Sequence, residues 1–242
     1  MTAHSLDPRL SLVFDLYDPC DLGADIGTDH AHLPAALLQR GRCRHMILTD
    51  ISEGALQNAR SEIRRFRLSD RVDFRLGDGL LPLEEKCGMI SITGMGGRTI
   101  RDILLAGRER LRGAGLVLSA HTDLPLIREA VEQVGYRLER EEPCLSAGRY
   151  YLVLRARPGR EALSGRVRRL GGPLFFSSSP QLVPYLVRRR EVLAAGLRGL
   201  LSASCPQEAL IAQVQEDILF YDAQIEKLKE DFHDRTGSLP SD

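Results

Sequence analysis

The sequence predicts an α/β protein: a mainly parallel sheet closed by an antiparallel hairpin, followed by a helical pair. Three observations carry this. Short apolar runs alternate with helically spaced ones up to about residue 156. The last two runs, 136–141 and 150–156, lie too close together for a crossover helix and therefore pair antiparallel. Beyond Pro180 only helical spacing remains. A chain of 242 residues is long enough for one sizeable core with an appendage.

Taken in order, Leu6, Leu10, Val13, Phe14 and Tyr17 have helical spacing and predict a helix over 6–17 that caps one edge of the core. Cys20, Leu22 and Ile26 mark the first strand. Gly27 supplies a tight turn, and Leu33, Ala36 and Leu37 open a helix whose first turn suits Pro34. A strand at 45–49, a helix at 53–66, and strands at 72–76 and 89–93 follow, then a helix at 99–111, a strand at 116–118 and a helix at 125–134. The closing hairpin leaves 142–149 as its loop. From Arg155 to Leu170, Arg155, Arg157, Arg160, Arg166, Arg168 and Arg169 stand against Glu161 alone, with Pro158, Gly159 and Gly165 between them, which reads as a basic linker. Leu182, Leu186, Leu193, Leu197 and Leu200 then define a helix, broken at 202–206. Ile211, Val214, Ile218, Tyr221, Ile225, Leu228 and Phe232 follow alternating steps of three and four, the a/d seam of a coiled coil, so the two helices should fold back as an antiparallel hairpin. Residues 233–242 read as a frayed polar tail. The expected domains are 1–158 and 159–235, with 236–242 outside both.

Bulk composition narrows the function classes. The 33 basic and 33 acidic residues cancel, so a nucleic-acid partner must rest on local clusters. Cys20, Cys43, Cys87, Cys144 and Cys205 are odd in number, scattered and without a Cys-x-x-Cys pair, which disfavours a disulfide framework or a zinc knuckle and suits a reducing cytosol. No apolar stretch approaches about 18 residues, so neither an export signal nor a membrane span is expected. The expectation is a cytoplasmic monomer without a metal.

Each of the first four strands leads into an acidic or glycine-containing turn: Asp25-Ile26-Gly27-Thr28-Asp29, Thr49-Asp50-Ile51-Ser52, Gly77-Asp78-Gly79-Leu80 and Thr93-Gly94-Met95-Gly96-Gly97. In a parallel sheet these turns share the carboxyl edge, where ligands bind at the switch in strand order. Asp50 is placed to accept hydrogen bonds from ribose hydroxyls, Asp78 can take an adenine amino group, and Ile51 with Leu80 can sandwich the ring. Gly27 lets the backbone approach a sugar or amino-acid portion. That describes an adenosyl ligand without a pyrophosphate. A nicotinamide oxidoreductase fits less well, because Gly27-Thr28-Asp29-His30 lacks the second and third glycines of Gly-x-Gly-x-x-Gly and sets a carboxylate where the pyrophosphate would lie.

Asp25-Ile26-Gly27-Thr28-Asp29-His30-Ala31-His32-Leu33-Pro34, Gly77-Asp78-Gly79-Leu80 and Thr93-Gly94-Met95-Gly96-Gly97 together, in this order and spacing, resemble the bacterial tRNA adenine-N1 methyltransferases that act on position 22. The resemblance spans about residues 5–157, and the helical hairpin matches that family in architecture more than in sequence. It implies a Rossmann-like class I methyltransferase sheet. It also implies S-adenosyl-L-methionine held by Asp25, Gly27, Thr28, Asp29, His30, Leu33, Asp50, Ile51, Asp78, Gly79, Leu80 and Gly94. The acceptor implied is a flipped adenine of tRNA lying against Met95, Gly96 and Gly97, with Arg98 and Arg101 on flanking phosphates and Arg166, Arg168 and Arg169 on more distant ones. Asp29, Gly94 and Met95 are the expected catalytic group. Adenine N1 has an in-plane lone pair, so alignment is the main task, and Asp29 can balance the charge that develops on the base or accept an N6 proton. In one place the chain departs from the family: Ser119-Ala120-His121-Thr122 stands where Gln-Pro-Asn is usual.

Plainer readings stand beside these. Asp29 can be the N-cap of the helix that follows, Asp78-Gly79 a simple turn, the glycine block a flexible connection and the arginines solvated faces. His30 and His32 without a third ligand do not make a metal site. Another methyl acceptor, or an RNA-binding scaffold without catalysis, would keep the same fold.

Overall fold

The computed structural model of the chain describes residues 6–120, 122–203, 205 and 207–236, with 231–236 as backbone only. Contacts divide it into two units, Met1–Ser177 and Ser178–Asp242.

The first unit is built on a seven-stranded sheet ordered β3-β2-β1-β4-β5-β7-β6. Its strands are β1 (Cys20–Ile26), β2 (Cys43–Asp50), β3 (Val72–Leu76), β4 (Met89–Met95), β5 (Gly115–Ala120), β6 (Tyr136–Ser146) and β7 (Arg149–Pro158). β1 to β5 run parallel, and β7 is antiparallel to both β5 and β6. The chain leaves β1 toward β2 on one side and returns to β4 on the other, which places the topological switch at the carboxyl ends of β1 and β4.

Alternation along the strands sends Met46, Leu48, Val117 and Val153 into one core layer with α1 (Pro8–Leu16), α2 (His32–Gln39) and α3 (Glu53–Arg65). Ile47, Ile90, Ile92, Leu116 and Leu154 point the other way, toward the face where α4 (Gly97–Ala106) and α5 (Leu124–Gln133) pack together. Tyr17 anchors the end of α1: its buried hydroxyl donates to the Met89 carbonyl at 2.9 Å, and a Cβ at Gly23 would lie only 2.4 Å from that oxygen. All five cysteines are free thiols.

The hairpin is longer than its sequence suggests. Ala147 (φ 48°) and Gly148 (φ 73°) both adopt left-handed backbone, the requirement of a two-residue primed turn, so the ladder runs from Tyr136 to Pro158 and absorbs the expected loop. Pro143 is accommodated because β6 is an edge strand.

The expected boundary at Pro158 and the basic linker are corrected by the structure. Residues 159–177, including α6 (Gly165–Leu170), belong to the first unit. A buried ion pair ties them down. Arg128 of α5 donates from Nε to Glu141 of β6 at 2.7 Å and from Nη1 to the carbonyls of Arg168 and Arg169 at 3.1 and 3.2 Å. Glu141 Oε2 accepts the amides of Gly172 and Leu174 at 3.1 and 3.3 Å. Leu163, Leu170 and Leu174 are buried beside them. The local excess of positive charge is reduced in space: Arg155 and Arg157 face Asp18 and Glu139, and Arg168 pairs with Glu132 at 2.8 Å.

In the second unit α7 (Leu182–Leu201) and α8 (Glu208–Thr236) pack against each other. The Arg190–Asp222 pair at 3.0 Å lies about equally far from the connection on each helix, as an antiparallel arrangement requires. Tyr221 and Ile225 of the expected seam are buried, and Ile211, Val214, Ile218 and Leu228 are half-buried. α8 runs four residues into the expected tail; the Phe232 side chain, Ser204, Pro206 and 237–242 lie outside the described residues.

Removing one partner of a buried pair leaves the other charge uncompensated. Arg128→Met should therefore cost about 3–5 kcal/mol in denaturant unfolding and open residues 159–177 to limited proteolysis. An unchanged cleavage pattern would show that this segment is held by other contacts.

Candidate active site

The turns after β1 to β4 meet on one edge of the sheet and are stitched together by backbone bonds. The Thr49 carbonyl accepts the amides of Gly27 and Thr28 at 2.8 and 3.1 Å, and the Asp50 carbonyl accepts the Gly77 amide at 3.0 Å. Thr49 Oγ1 donates to the Gly79 carbonyl at 3.1 Å. Beneath them lies a buried carboxylate. Asp25 accepts from Ser91 Oγ of β4 at 2.6 Å and from Thr28 Oγ1 at 2.5 Å, which ties the β1 turn to the neighbouring strand. Burial pushes the Asp25 carboxyl above its usual range, while the two hydroxyls and, more weakly, the Arg9 guanidinium oppose that shift.

Gly27 and Met95 come together at the switch point. Gly27 has φ +75°, and a Cβ there would lie 1.8 Å from Met95 Cε, so the Met95 side chain lies across the β1 turn. Gly94 is exposed, with open space where a side chain would begin, and the β4–β5 register shifts between Thr93 and Met95. The start of α4 is pressed against the loop after β5: a Cβ at Gly97 would lie 2.5 Å from the Thr122 carbonyl. In that loop Thr122 Oγ1 bonds Asp123 at 2.8 Å, and His121 lies outside the described residues.

Asp29 is exposed beside this turn. It accepts from Asn58 Nδ2 at 3.2 Å, and its other oxygen lies 3.2 Å from His30 Nε2. It is not a helix cap: α2 is capped by Ala31 in left-handed backbone (φ 52°), with no side-chain bond. His30 is exposed and stacks on His32 with ring centroids 5.6 Å apart. Asp78 is exposed, and half-buried Asp50 accepts the Ser52 amide at 2.8 Å through Oδ1. Ile51 is 74% exposed, an open apolar side chain among these carboxylates.

Other expected residues lie elsewhere. Leu33 is buried in the core layer with α2. Gly79 is buried, and Leu80, 1% exposed, packs beneath Gly107, so it cannot sandwich a ring with Ile51; Leu81, 50% exposed, is the open side chain of that turn. Nothing in the pair Leu80-Leu81 indicates which one faces inward. Arg98 is exposed at the start of α4, whereas Arg101 is bound by Asp102 at 2.7 Å. Arg166, Arg168 and Arg169 lie on α6; the carbonyls of Arg168 and Arg169 serve the buried anchor described above, and the Arg168 side chain pairs with Glu132. Ser91 and Asn58 escape sequence reasoning, because only strand pairing and helix placement bring them to Asp25 and Asp29. A cavity of about 460 Å³ beside β6, lined by Glu139, Glu142, Leu163 and Phe176 among others, is separate from these turns. Among the described residues no group of three or more His, Cys, Asp or Glu is arranged to hold a metal ion.

The methyltransferase domain family matches residues 6–154. The tRNA (adenine(22)-N(1))-methyltransferase of Bacillus subtilis (strain 168) is 32% identical over 161 residues, 66% of this chain and 68% of that protein. Among solved structures, Streptococcus pneumoniae Sp1610, assigned as a tRNA (m1A22) methyltransferase, is 27% identical with a TM-score of 0.82, over 91% of this chain and 100% of that one. Sp1610 has also been solved with S-adenosyl-L-methionine. The B. subtilis m1A22 tRNA methyltransferase TrmK is 26% identical with a TM-score of 0.75, over 94% and 98% of the two chains.

Gly27→Ala should cost about 1–3 kcal/mol through left-handed strain and the clash with Met95, and Met95→Ala in the same chain should return only the steric part. Equal stability of Gly27→Ala and wild type in denaturant would refute this packing. The raised Asp25 pKa has a definite sign. Its contribution to stability is full below the unfolded value of about 3.9 and is lost as pH rises through the higher folded value. Asp25→Asn should therefore improve relative to wild type over that rise, read from unfolding midpoints on a pH series; a constant gap would show no shift.

Proposed function

Because the chain belongs to the family of tRNA (adenine(22)-N(1))-methyltransferases, we propose that it methylates N1 of adenine 22 in tRNA with S-adenosylmethionine as donor. The observation that supports this best is the meeting of Gly27 and Met95 at the switch point, ringed by Asp29, Asp50 and Asp78. The residues present fit an adenosyl sulfonium. The turn has no side chain of its own at Gly27, where Met95 packs, and it offers carboxylates for hydroxyl and amino donors and no glycine-rich phosphate cradle. When bound, the donor supplies an electrophilic methyl carbon on a positively charged sulfur.

The chain's own part is chiefly positioning. Asp50 accepts ribose hydroxyls, Asp78 the adenine amino group, and Ile51 covers one ring face. Gly27, Thr28 and His30 line the amino-acid portion, and Asp25 fixes the turn from below rather than touching the ligand, since both its oxygens are engaged. Gly94, Met95 and Gly96 receive the flipped base, whose edge can approach backbone where side chains are absent, while the expected Gly97 is buried against the Thr122 carbonyl and lets α4 pack on the loop after β5. Asp29 lies at the acceptor edge and balances the positive charge that methylation leaves on the base, or takes an N6 proton. Arg98 contacts a flanking phosphate; Arg168 is withdrawn from that role by Glu132. A tRNA substrate supports a cytoplasmic location, and no described helix is long and apolar enough to cross a membrane.

With labelled donor and unmodified tRNA, the methyl group should map to N1 of adenine 22. Transfer to another position, or none, would overturn the proposal. Asp29→Ala should lower kcat about 100-fold with little change in tRNA affinity, and equal loss of both would remove Asp29 from the chemistry.

A further inference from the structure

α1 carries a charge on the side that it turns toward the sheet. Arg9 precedes Val13 by one helical turn, and Val13 is fully buried in the layer that also contains Val117 of β5 and Val153 of β7. The register sets Ser119 opposite Val153, so Ser119, Val153 and Tyr151 share this face at the carboxyl end of β5. The Arg9 guanidinium lies over the Tyr151 ring, 5.5 Å from its centroid.

Two polar groups here lack partners. Arg9 Nη1 is shielded from solvent and has no hydrogen-bond partner among the described residues, and the same holds for Ser119 Oγ, in a residue only 1% exposed. Buried polar groups are normally paired, so two orphans on one face at the rim point to a ligand that completes them. A guanidinium can only donate, and its charge favours an anionic acceptor. The N1/N6 edge of the base is the wrong partner, because it becomes cationic on methylation. Arg9 also lies close enough to Asp25 to lower its carboxyl pKa, which puts the positive charge beside the β1 turn.

We propose that Arg9 is an oxyanion-binding residue of this site, oriented by Tyr151 and assisted by Ser119. The oxyanion is the α-carboxylate of the donor or a phosphate next to the target adenosine. This inference rests on the proposed function.

The test is calorimetry on Arg9→Gln and Arg9→Lys with S-adenosylhomocysteine, with 5′-methylthioadenosine, which lacks the carboxylate, and with tRNA across a salt series. If Arg9 holds the carboxylate, Arg9→Gln weakens S-adenosylhomocysteine about 10- to 100-fold, leaves 5′-methylthioadenosine unchanged, and Arg9→Lys recovers part of the loss. If it holds a phosphate, S-adenosylhomocysteine binding stays intact while tRNA affinity falls and its log–log salt slope shrinks by about 0.7–0.9. Unchanged affinity for both, or equal loss for the two nucleosides, overturns the inference. Wild type that binds no S-adenosylhomocysteine would instead strike at the proposed function.

Discussion

A carboxylate buried at the centre of the sheet governs the geometry of the rim. Asp25 cannot be hydrated where it lies, so its two oxygens take hydroxyls from Ser91 on the adjacent strand and from Thr28 in its own turn. Those bonds hold the chain at Gly27 in the conformation that lets Met95 cross above it, and the shared carbonyl of Thr49 fixes the same turn from the β2 side. One polar cluster thereby sets the relative heights of three strands. The residues that touch ligand in the proposed reaction inherit their positions from it.

A second buried charge pair does comparable work at the other end of the sheet. Arg128 and Glu141 each retain hydrogen-bonding capacity beyond their mutual contact, and the backbone of 168–174 satisfies it. A segment rich in arginine and glycine becomes part of the core unit in this way, with Leu163, Leu170 and Leu174 buried beside the pair. Of the arginines from Arg155 to Arg169, Arg155 and Arg157 on β7 face Asp18 and Glu139 and Arg168 pairs with Glu132, so part of a run that looks suited to nucleic acid is a set of structural ion pairs. The exposed guanidinium at Arg98 and the half-shielded one at Arg9 are better placed for anionic ligands.

Much of the molecule was legible in the sequence. Strand alternation and helical spacing located the elements, the short separation of the last two strands predicted their antiparallel pairing, and the four turns marked the candidate edge and carried the resemblance to a known family. The misjudged parts share a cause. Leu80 looks available for a ring but is packed inward, 155–170 looks like a linker but belongs to the first unit, and 142–149 looks like a loop until Ala147 and Gly148 form the turn.

Periodicity, turn chemistry and residue type are local properties, and they alone determined the fold class, the order of the elements and the gathering of the acidic and glycine turns on the carboxyl edge. Which carboxylate is buried and which faces solvent, which arginines are neutralised, and that Arg9 lies over Tyr151 on the sheet face that carries Ser119 were decided only by the tertiary structure. Burial and charge pairing depend on neighbours brought from distant parts of the chain, such as Ser91 to Asp25 and Glu132 to Arg168, and no local pattern encodes those distances.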